Sequence, residues 1–193
     1  MNGVPTGKGR RIAVYSGSFH PLHKGHQAIL EYLTERSGFD EVYLIVTPQS
    51  PFKEASLAAS GAERFAAAQA ALRRHRLHAR AEDIELRMDP PHYTIRTLDT
   101  LRAREPGNSF TLVVGADQLA LFTKWKDYAR ILREYGLIVF PRKGFHRGWL
   151  RARLLRECPD YRITLARAPR IDISSTEIRD GIAAGKDMSP YLM

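Results

Sequence analysis

Residues 11–26 read Arg-Ile-Ala-Val-Tyr-Ser-Gly-Ser-Phe-His-Pro-Leu-His-Lys-Gly-His, and this stretch decides the fold. The apolar run Ile12–Tyr15 at its start is typical of a buried strand. Apolar residues at helical spacing follow over residues 24–36, Gly38 ends that helix, and Val42–Val46 form a second apolar run. Strand, loop, helix and strand in this order predict a right-handed βαβ unit with parallel strands.

The alternation of strands and helices continues along the rest of the chain. Helices are predicted over residues 62–74, 93–104, 117–134 (broken or split in two), 149–157 and from about 174, and strands over 81–86, 110–114, 136–140 and 161–165. This alternation predicts an α/β fold, a doubly wound, mostly parallel sheet with helices on both faces. No repeat or linker divides the chain, so residues 11–193 are predicted to form a single domain. Residues 1–10 are polar and glycine-containing, which predicts a flexible leader.

Composition excludes several classes of protein. The 193 residues contain no apolar run of the ~18 residues that a membrane span needs. Cys158 is the single cysteine, so an internal disulfide is excluded, and the predicted location is the cytoplasm. The net charge of +9 attracts polyanions. The arginines are scattered along the predicted helices without an RNA-binding module pattern, so nucleotides are the predicted partners, without nucleic acid or a membrane. The sequence leaves the oligomeric state open.

His23 and His26 follow the first predicted strand and flank Gly25. Ligands bind beyond the carboxyl ends of the strands in open α/β sheets, and a helix start favours phosphate. Two imidazoles in this place are suited to hold a triphosphate and to stabilise the charge that develops during nucleotidyl transfer. The alternatives are ordinary surface histidines, or a zinc site, for which no third ligand is near in sequence. No protein-bound metal is predicted.

The second candidate segment is a hydroxyl cluster near the end of the chain. Ser174, Ser175 and Thr176 open a predicted helix that carries Glu177 and Arg179. Ser174 with Glu177 fits a capping box, which is the structural alternative. The same hydroxyls and free N–H groups also suit a phosphate, with Arg179 as a bidentate contact.

These two segments resemble the H-x-G-H and I-S-S-T-x-x-R motifs of the nucleotidyltransferase superfamily. The chain resembles, more specifically, the bacterial nicotinate mononucleotide adenylyltransferases over roughly residues 11–180. Further matching segments are Tyr93–Leu98, Val114–Asp117 with Phe122 and Trp125, Ile131–Leu132 and Val139–Arg142. The resemblance implies a Rossmann-like fold and transfer of AMP from ATP to nicotinate mononucleotide, giving deamido-NAD and pyrophosphate in NAD biosynthesis. Mg²⁺ would arrive bound to ATP.

The resemblance also implies roles for individual residues. His23, His26 and Arg179 would be catalytic. The ATP site would comprise Gly17, Ser18, Phe19, Gly115, Asp117, Ser174, Ser175 and Thr176. The mononucleotide site would comprise Lys53, Thr94, Trp125, Lys126 and Arg142, with Trp125 stacked on the pyridine ring. Each has a plainer alternative: Trp125 as a core anchor, Asp117 as a helix cap, and Lys53 and Arg142 as part of a basic surface.

One residue departs from the family pattern, because His20 stands where the family often has Asp. The tail after Arg179 is also shorter than is usual in the family. Two alternatives to the predicted activity stay open. One is a sister transferase that accepts nicotinamide mononucleotide or phosphopantetheine; the other is a basic nucleic-acid-binding protein without this catalysis.

Overall fold

The structure, a computed structural model, describes residues 9–48, 60–170 and 173–193. One sheet of six strands runs in the order β3-β2-β1-β4-β5-β6, and every neighbouring pair is parallel. The strands are β1 (Arg11–Gly17), β2 (Glu41–Val46), β3 (Ala79–Glu82), β4 (Ser109–Gly115), β5 (Leu137–Phe140) and β6 (Ile163–Leu165). This is the predicted α/β architecture, and its strand order is that of the Rossmann fold.

Helices connect the successive strands. They are α1 (Lys24–Glu35), α2 (Gly61–Arg74), α3 (Thr94–Arg104), α4 (Ala116–Ala120), α5 (Tyr128–Arg130), α6 (Arg147–Glu157) and α7 (Ser175–Ala183). A π-helical turn covers residues 131–135, and short 3₁₀ turns cover 84–87, 122–124 and 189–191. None of the helices in the described part of the chain is long and apolar enough to cross a membrane.

Side chains of β1 alternate between two hydrophobic cores, as the period of a strand requires. Ile12 and Val14 lie in one core with apolar residues of α3 and α6. Ala13 and Tyr15 lie in the other with apolar residues of α1 and α2. Both faces of the sheet are therefore covered by helices, which explains why the central strands are apolar along their whole length.

The winding places a crevice at the carboxyl ends of β1 and β4. The chain proceeds from β1 to β2 and β3 on one side, and then returns to β4, β5 and β6 on the other. The loops that leave β1 and β4 therefore diverge to opposite faces, which opens a ligand site at this point of the sheet.

The predicted strand over residues 81–86 is wrong in its second half. β3 ends at Glu82, and residues 84–87 form a 3₁₀ turn. Ile84 and Glu85 are both buried in this turn. The turn brings the Glu85 carboxylate to the Thr97 hydroxyl, which donates to it at 2.7 Å.

Two predictions fall partly or wholly outside the described residues. The first is the flexible leader, since residues 1–8 are not described. Arg10, at the end of the predicted leader, donates through its backbone N–H to the Asn108 side chain and through its guanidinium to Glu41. The second is the phosphate contact of Lys53, because residues 49–59 are not described.

Candidate active site

A cavity of about 660 Å³ lies at the carboxyl ends of β1 and β4. The loop after β1, the start of α1, the start of α4, residues that follow β5 and the start of α7 all contribute to its wall. The first and last helices of the fold thus begin at the same cavity, although about 150 residues separate them in the chain. This convergence is the one on which the predicted phosphate site depends.

His23 and His26 cap the start of α1. The Gly25 backbone N–H donates to Nδ1 of His23 at 3.1 Å, and the His23 backbone N–H donates to Nδ1 of His26 at 3.2 Å. This is the reciprocal pattern of a capping box, with imidazoles in place of the usual hydroxyl and carboxylate. The Gly25 N–H therefore goes to the His23 imidazole and the His26 N–H to the His23 carbonyl, and both imidazoles line the cavity.

The two hydrogen bonds fix the tautomer of both rings. A nitrogen that accepts a hydrogen bond carries no proton, so each neutral ring holds its proton on Nε2. Burial and the charge of Arg142 lower the pKa of His23 to about 4. Burial, then His23 and Arg142, hold the pKa of His26 well below its usual range. Near neutral pH both rings are uncharged and each offers one N–H donor at the cavity.

Packing holds the two rings in place. Their centroids lie 3.7 Å apart, and the side chains are only 3% and 9% exposed. Phe19 packs edge-on against His26 and Tyr15, at centroid distances of 5.2 and 5.3 Å. A Cβ on Gly17 would lie 3.1 Å from the Phe19 ring, so the glycine leaves the space that this ring fills. Catalytic geometry of this kind depends on such support.

Gly115, Asp117 and Arg142 form the opposite wall. A Cβ on Gly115 would lie 2.2 Å from Oδ1 of Asp117, so only glycine lets this carboxylate lie over the end of β4. Oδ1 of Asp117 is buried without a hydrogen-bond partner among the described residues, and Nε of Arg142 lies 3.7 Å from it. A buried acceptor without a donor is a site for a ligand hydroxyl.

The start of α7 forms the third wall. Ser174 caps the helix by accepting from the Glu177 backbone N–H at 3.2 Å, and its hydroxyl donates to the Glu177 carboxylate at 2.7 Å. Ser175 donates to the Pro21 carbonyl at 3.1 Å, which ties α7 to the loop that leads into α1. The first-turn N–H groups of Ser175 and Thr176 make no hydrogen bond within the described residues, as is usual at a helix start, and both residues line the cavity.

Arg179 holds the same loop. Its guanidinium donates to the His20 carbonyl at 2.7 Å and to the Thr176 hydroxyl at 3.2 Å. It does not line the cavity within the described part of the chain. In this arrangement Arg179 acts on the site through the position of the loop, and direct contact with phosphate stays a prediction.

Comparison with known proteins agrees with this geometry. A profile of the family described as Cytidylyltransferase-like matches residues 14–181. A probable nicotinate-nucleotide adenylyltransferase of Bacteroides fragilis (strain YCH46) is 35% identical over 182 residues, covering 94% of this chain and 87% of the relative. One of Porphyromonas gingivalis (strain ATCC 33277) is 35% identical over 179 residues, covering 93% and 87%. The chain belongs to the nicotinate-nucleotide adenylyltransferases, within the cytidylyltransferase-like family.

Solved structures share the fold of this adenylyltransferase family member. The nicotinic acid mononucleotide adenylyltransferase of Plasmodium falciparum, complexed with NaAD, matches with a TM-score of 0.75 at 20% identity, covering 95% of this chain and 90% of that one. A putative nicotinate-nucleotide adenylyltransferase from Vibrio parahaemolyticus matches with a TM-score of 0.65 at 22% identity, covering 95% and 94%. These likenesses confirm the predicted Rossmann-like fold. The predicted nucleotidyltransferase family is confirmed by the matching profile and the relatives given above.

Apart from Arg179, and from Lys53 outside the described residues, the residues predicted for the adenylyltransferase site fall into two groups. Those that line the cavity are Gly17, Ser18, Phe19, His23, His26, Gly115, Asp117, Arg142, Ser174, Ser175 and Thr176. Thr94, Trp125 and Lys126 do not line it in the described part of the chain. Thr94 opens α3, Lys126 is exposed, and Trp125 packs on the core with its ring 4.9 Å from that of Phe122. Their predicted contacts with a mononucleotide stay predictions.

Sequence reasoning missed Arg64, a residue of α2 that holds the loop after β1. The Arg64 guanidinium donates to the carbonyls of Ser18, Thr47 and Pro48, each at 2.8 Å, and the residue is 2% exposed. Its position was readable, because Arg64 shares the apolar face of α2 with Ala68. A cation on a buried helix face indicates a specific set of acceptors.

Sequence reasoning also missed Tyr15 as a cavity residue. It is the last of the apolar run in β1, it is 8% exposed, and it lines the cavity beside the histidines. Burial raises the pKa of its phenol to about 12, so the hydroxyl stays protonated. Periodicity alone assigned Tyr15 to the core. Tyr15 also belongs to the site because it lies near the end of β1, where the cavity opens.

Proposed function

We propose that this enzyme transfers AMP from ATP to nicotinate mononucleotide, giving deamido-NAD and pyrophosphate. An oxygen of the mononucleotide phosphate forms the new bond to the α-phosphorus of ATP, the bond from this phosphorus to the bridging oxygen breaks, and pyrophosphate leaves with that electron pair. The observation that carries the proposal is the pair of tautomer-locked imidazoles at a cavity that also contains the open start of α7.

The imidazoles serve as fixed hydrogen-bond donors to phosphate oxygens. Charge accumulates on these oxygens as the new bond forms, and preorganised donors in a site with little water stabilise it strongly. His23 and His26 offer Nε2–H groups that packing has already oriented, so little reorganisation accompanies the reaction. A covalent enzyme intermediate is unnecessary, because the acceptor phosphate is itself the nucleophile.

The other walls of the cavity suit the remaining parts of ATP. The partial positive charge at the start of α7, with the N–H groups of Ser175 and Thr176, attracts the outer phosphates. Arg142 and Lys143 add positive charge at the cavity. The buried Oδ1 of Asp117 accepts from a ribose hydroxyl in this proposal, which gives the unpartnered oxygen its donor.

Magnesium fits this site only as an ion carried by the nucleotide. The described residues contain no cluster of three side chains suited to hold a metal ion. Mg²⁺ keeps several waters and is commonly held by substrate phosphates together with one or two carboxylates. Bound in this way, it would neutralise part of the charge on the triphosphate. The chain contributes the donors and the orientation described above.

The acceptor is proposed from the relatives and from the sequence segments carried by Thr94, Trp125 and Lys126. Trp125 is only half-buried on the core, so part of its side chain is accessible. Nicotinate mononucleotide is the acceptor that the names of the relatives favour. The predicted cytoplasmic location accords with this chemistry.

A pyrophosphate-release assay tests the proposal directly. The purified enzyme, with ATP and magnesium, is offered nicotinate mononucleotide, nicotinamide mononucleotide or phosphopantetheine in parallel. We expect the fastest release with nicotinate mononucleotide, and a product with the mass of deamido-NAD. Faster release with either other acceptor would overturn the assigned acceptor and retain the transferase. Absence of release with all three would overturn the proposed reaction.

A further inference from the structure

The positive charge of the chain is concentrated in one segment. Residues 142–170 contain nine Lys and Arg residues and two acidic ones, a net charge of +7, whereas the whole chain has 30 and 21, a net charge of +9. The remaining residues therefore carry only +2. The segment begins just after β5 and contains α6 and β6, at one edge of the sheet.

Carboxylates leave this charge largely unneutralised. Arg147, Arg151 and Arg162 donate to backbone carbonyls, which hold the side chains without cancelling their charge. Among the described residues, the only ion pair that involves residues 142–169 is the one between Arg142 and Asp117. The surface therefore presents a positive field to solvent.

Two large aromatic side chains are exposed within this basic segment. Phe145 is 42% exposed, and Trp149 is 58% exposed, the highest value among the exposed large hydrophobic residues of the described chain. The Arg153 guanidinium lies 5.2 Å from the centre of the Trp149 ring. Both aromatics line an open groove of about 840 Å³ with Arg147, and Phe145 also lines the cavity described above.

We propose that this surface, residues 144–156 with their exposed aromatics, binds single-stranded nucleic acid. Proteins bind single strands by stacking bases on aromatic side chains, while nearby cations contact the phosphate backbone. The spacing of Trp149, Arg153 and Arg156 places them on one exposed face of α6. On this face Trp149 would stack on one base, and the two arginines would contact successive phosphates. Attraction of ATP alone would account for the arginines and would leave the exposed rings without a role.

The observations favour nucleic acid over a membrane surface. A helix that lies on a membrane presents a broad apolar stripe opposite its cations. The apolar residues Leu150 and Leu154 of α6 are buried against the sheet, and the exposed face combines one tryptophan with arginines. From arginines scattered along several helices, the sequence predicted no nucleic acid partner; this surface is proposed in place of that prediction because nine of the cations lie within residues 142–170.

Fluorescence anisotropy with a labelled single-stranded RNA twelve-mer of mixed sequence tests this surface. We expect binding at about 50 mM salt that weakens steeply by about 200 mM. The double substitution Arg153→Gln with Arg156→Gln lowers the slope of log K against log salt by about 1.4, at about 0.7 for each phosphate contact. Trp149→Ala weakens binding about tenfold, and Trp149→Phe retains most of it.

The matched control removes the same charge from another helix. Arg73→Gln with Arg74→Gln, exposed at the end of α2, should leave RNA binding within about twofold of wild type. The proposal would be overturned if both pairs of substitutions weakened RNA binding equally, or if ATP displaced the RNA. It would also be overturned if the protein bound no RNA, or bound only vesicles of phosphatidylcholine and phosphatidylserine. Adenylyl transfer, measured in parallel, should be unchanged in all four variants, so the two proposals fail separately.

Discussion

The starts of α1 and α7 face the same cavity and are capped by opposite chemistry. α1 is capped by two buried imidazoles, and the Gly25 N–H of its first turn donates to one of them. α7 is capped by Ser174 with Glu177, both more exposed, and its Ser175 and Thr176 N–H groups stay open to the cavity. One helix start therefore presents side-chain donors that are locked in orientation, and the other presents the backbone itself.

The difference shows how a cap can also be catalytic machinery. A hydroxyl cap is replaceable, because many residues satisfy an N–H group. An imidazole cap uses one ring nitrogen for the helix and keeps the second for a ligand, so a single hydrogen bond sets both the helix start and the catalytic tautomer. Substitutions at the two caps should therefore differ most in their effect on turnover.

The largest effect is expected at His23. His23→Ala removes both the cap and the Nε2–H donor, whereas His23→Asn keeps a good cap and removes the donor. We expect both variants to lose about 10²–10³-fold in turnover. Only the alanine variant should lose about 1 kcal/mol in the free energy of unfolding. Pyrophosphate release and urea denaturation measure the two effects, and near-normal turnover of His23→Asn would reduce the imidazole to a cap.

The next effect concerns Arg179, which joins α7 to the loop before α1. A hydrogen bond from a charged group contributes about 1.5–3 kcal/mol, so Arg179→Gln should lower kcat/KM by roughly 10- to 100-fold. The measurement is steady-state kinetics with each substrate varied in turn, with Lys at the same position as the control for charge. A loss as large as that of the His23 variants would instead place Arg179 directly on the phosphates.

The pH dependence of stability should separate the two caps further. The pKa of His23 is about 4 in the folded chain, against about 6.5 when unfolded. The unfolded chain therefore binds more protons between these values, and stability falls as pH drops through this window. The slope is at most about 1.4 kcal/mol per pH unit for each histidine.

Urea denaturation at about pH 5 and about pH 6 measures that slope, because both lie between the folded and unfolded pKa values of His23. His23→Asn should remove its share, since Asn does not titrate. Ser174→Ala should leave the slope unchanged, because neither serine nor alanine titrates. A slope that survives in a variant lacking both His23 and His26 would assign the effect to other groups.

The smallest effect is expected at Ser174. Ser174→Ala should lower the free energy of unfolding by about 1 kcal/mol, and Ser174→Asn should restore most of it. Turnover should change only a few-fold in either variant, because the open N–H groups of Ser175 and Thr176 remain. Urea denaturation and pyrophosphate release provide the two measurements. A loss of turnover comparable to that of His23→Ala would erase the contrast between the caps.

The elements of the fold were predictable where apolar periodicity is strong. β1, α1 and β2 lie within a residue or two of their predicted bounds, because β-strand and helix periods differ clearly there. The end of β3 was not predictable, because Ile84 and Glu85 both turn inward in response to Thr97 on α3. That contact joins segments 12 residues apart, and periodicity contains no information about it.

The candidate site was predictable in its motifs and less so in its geometry. The histidine and hydroxyl motifs name most residues that line the cavity, because both are local signatures of helix starts. The role of Arg64 was missed, since its three carbonyl partners belong to two loops that meet only in the fold. Thr94, Trp125 and Lys126 were expected near the acceptor, and the structure leaves them outside the cavity.

By itself, the sequence determined the alternation of strands and helices, the parallel sheet that follows from it and the two helix starts suited to phosphate. These are local properties, set by side-chain period and capping chemistry. Tertiary structure alone decided which ring nitrogen of each histidine is protonated, that Arg179 holds a loop, and that Trp149 is exposed beside Arg153. Those depend on burial and on contacts between distant segments, which exist only once the chain has closed on itself.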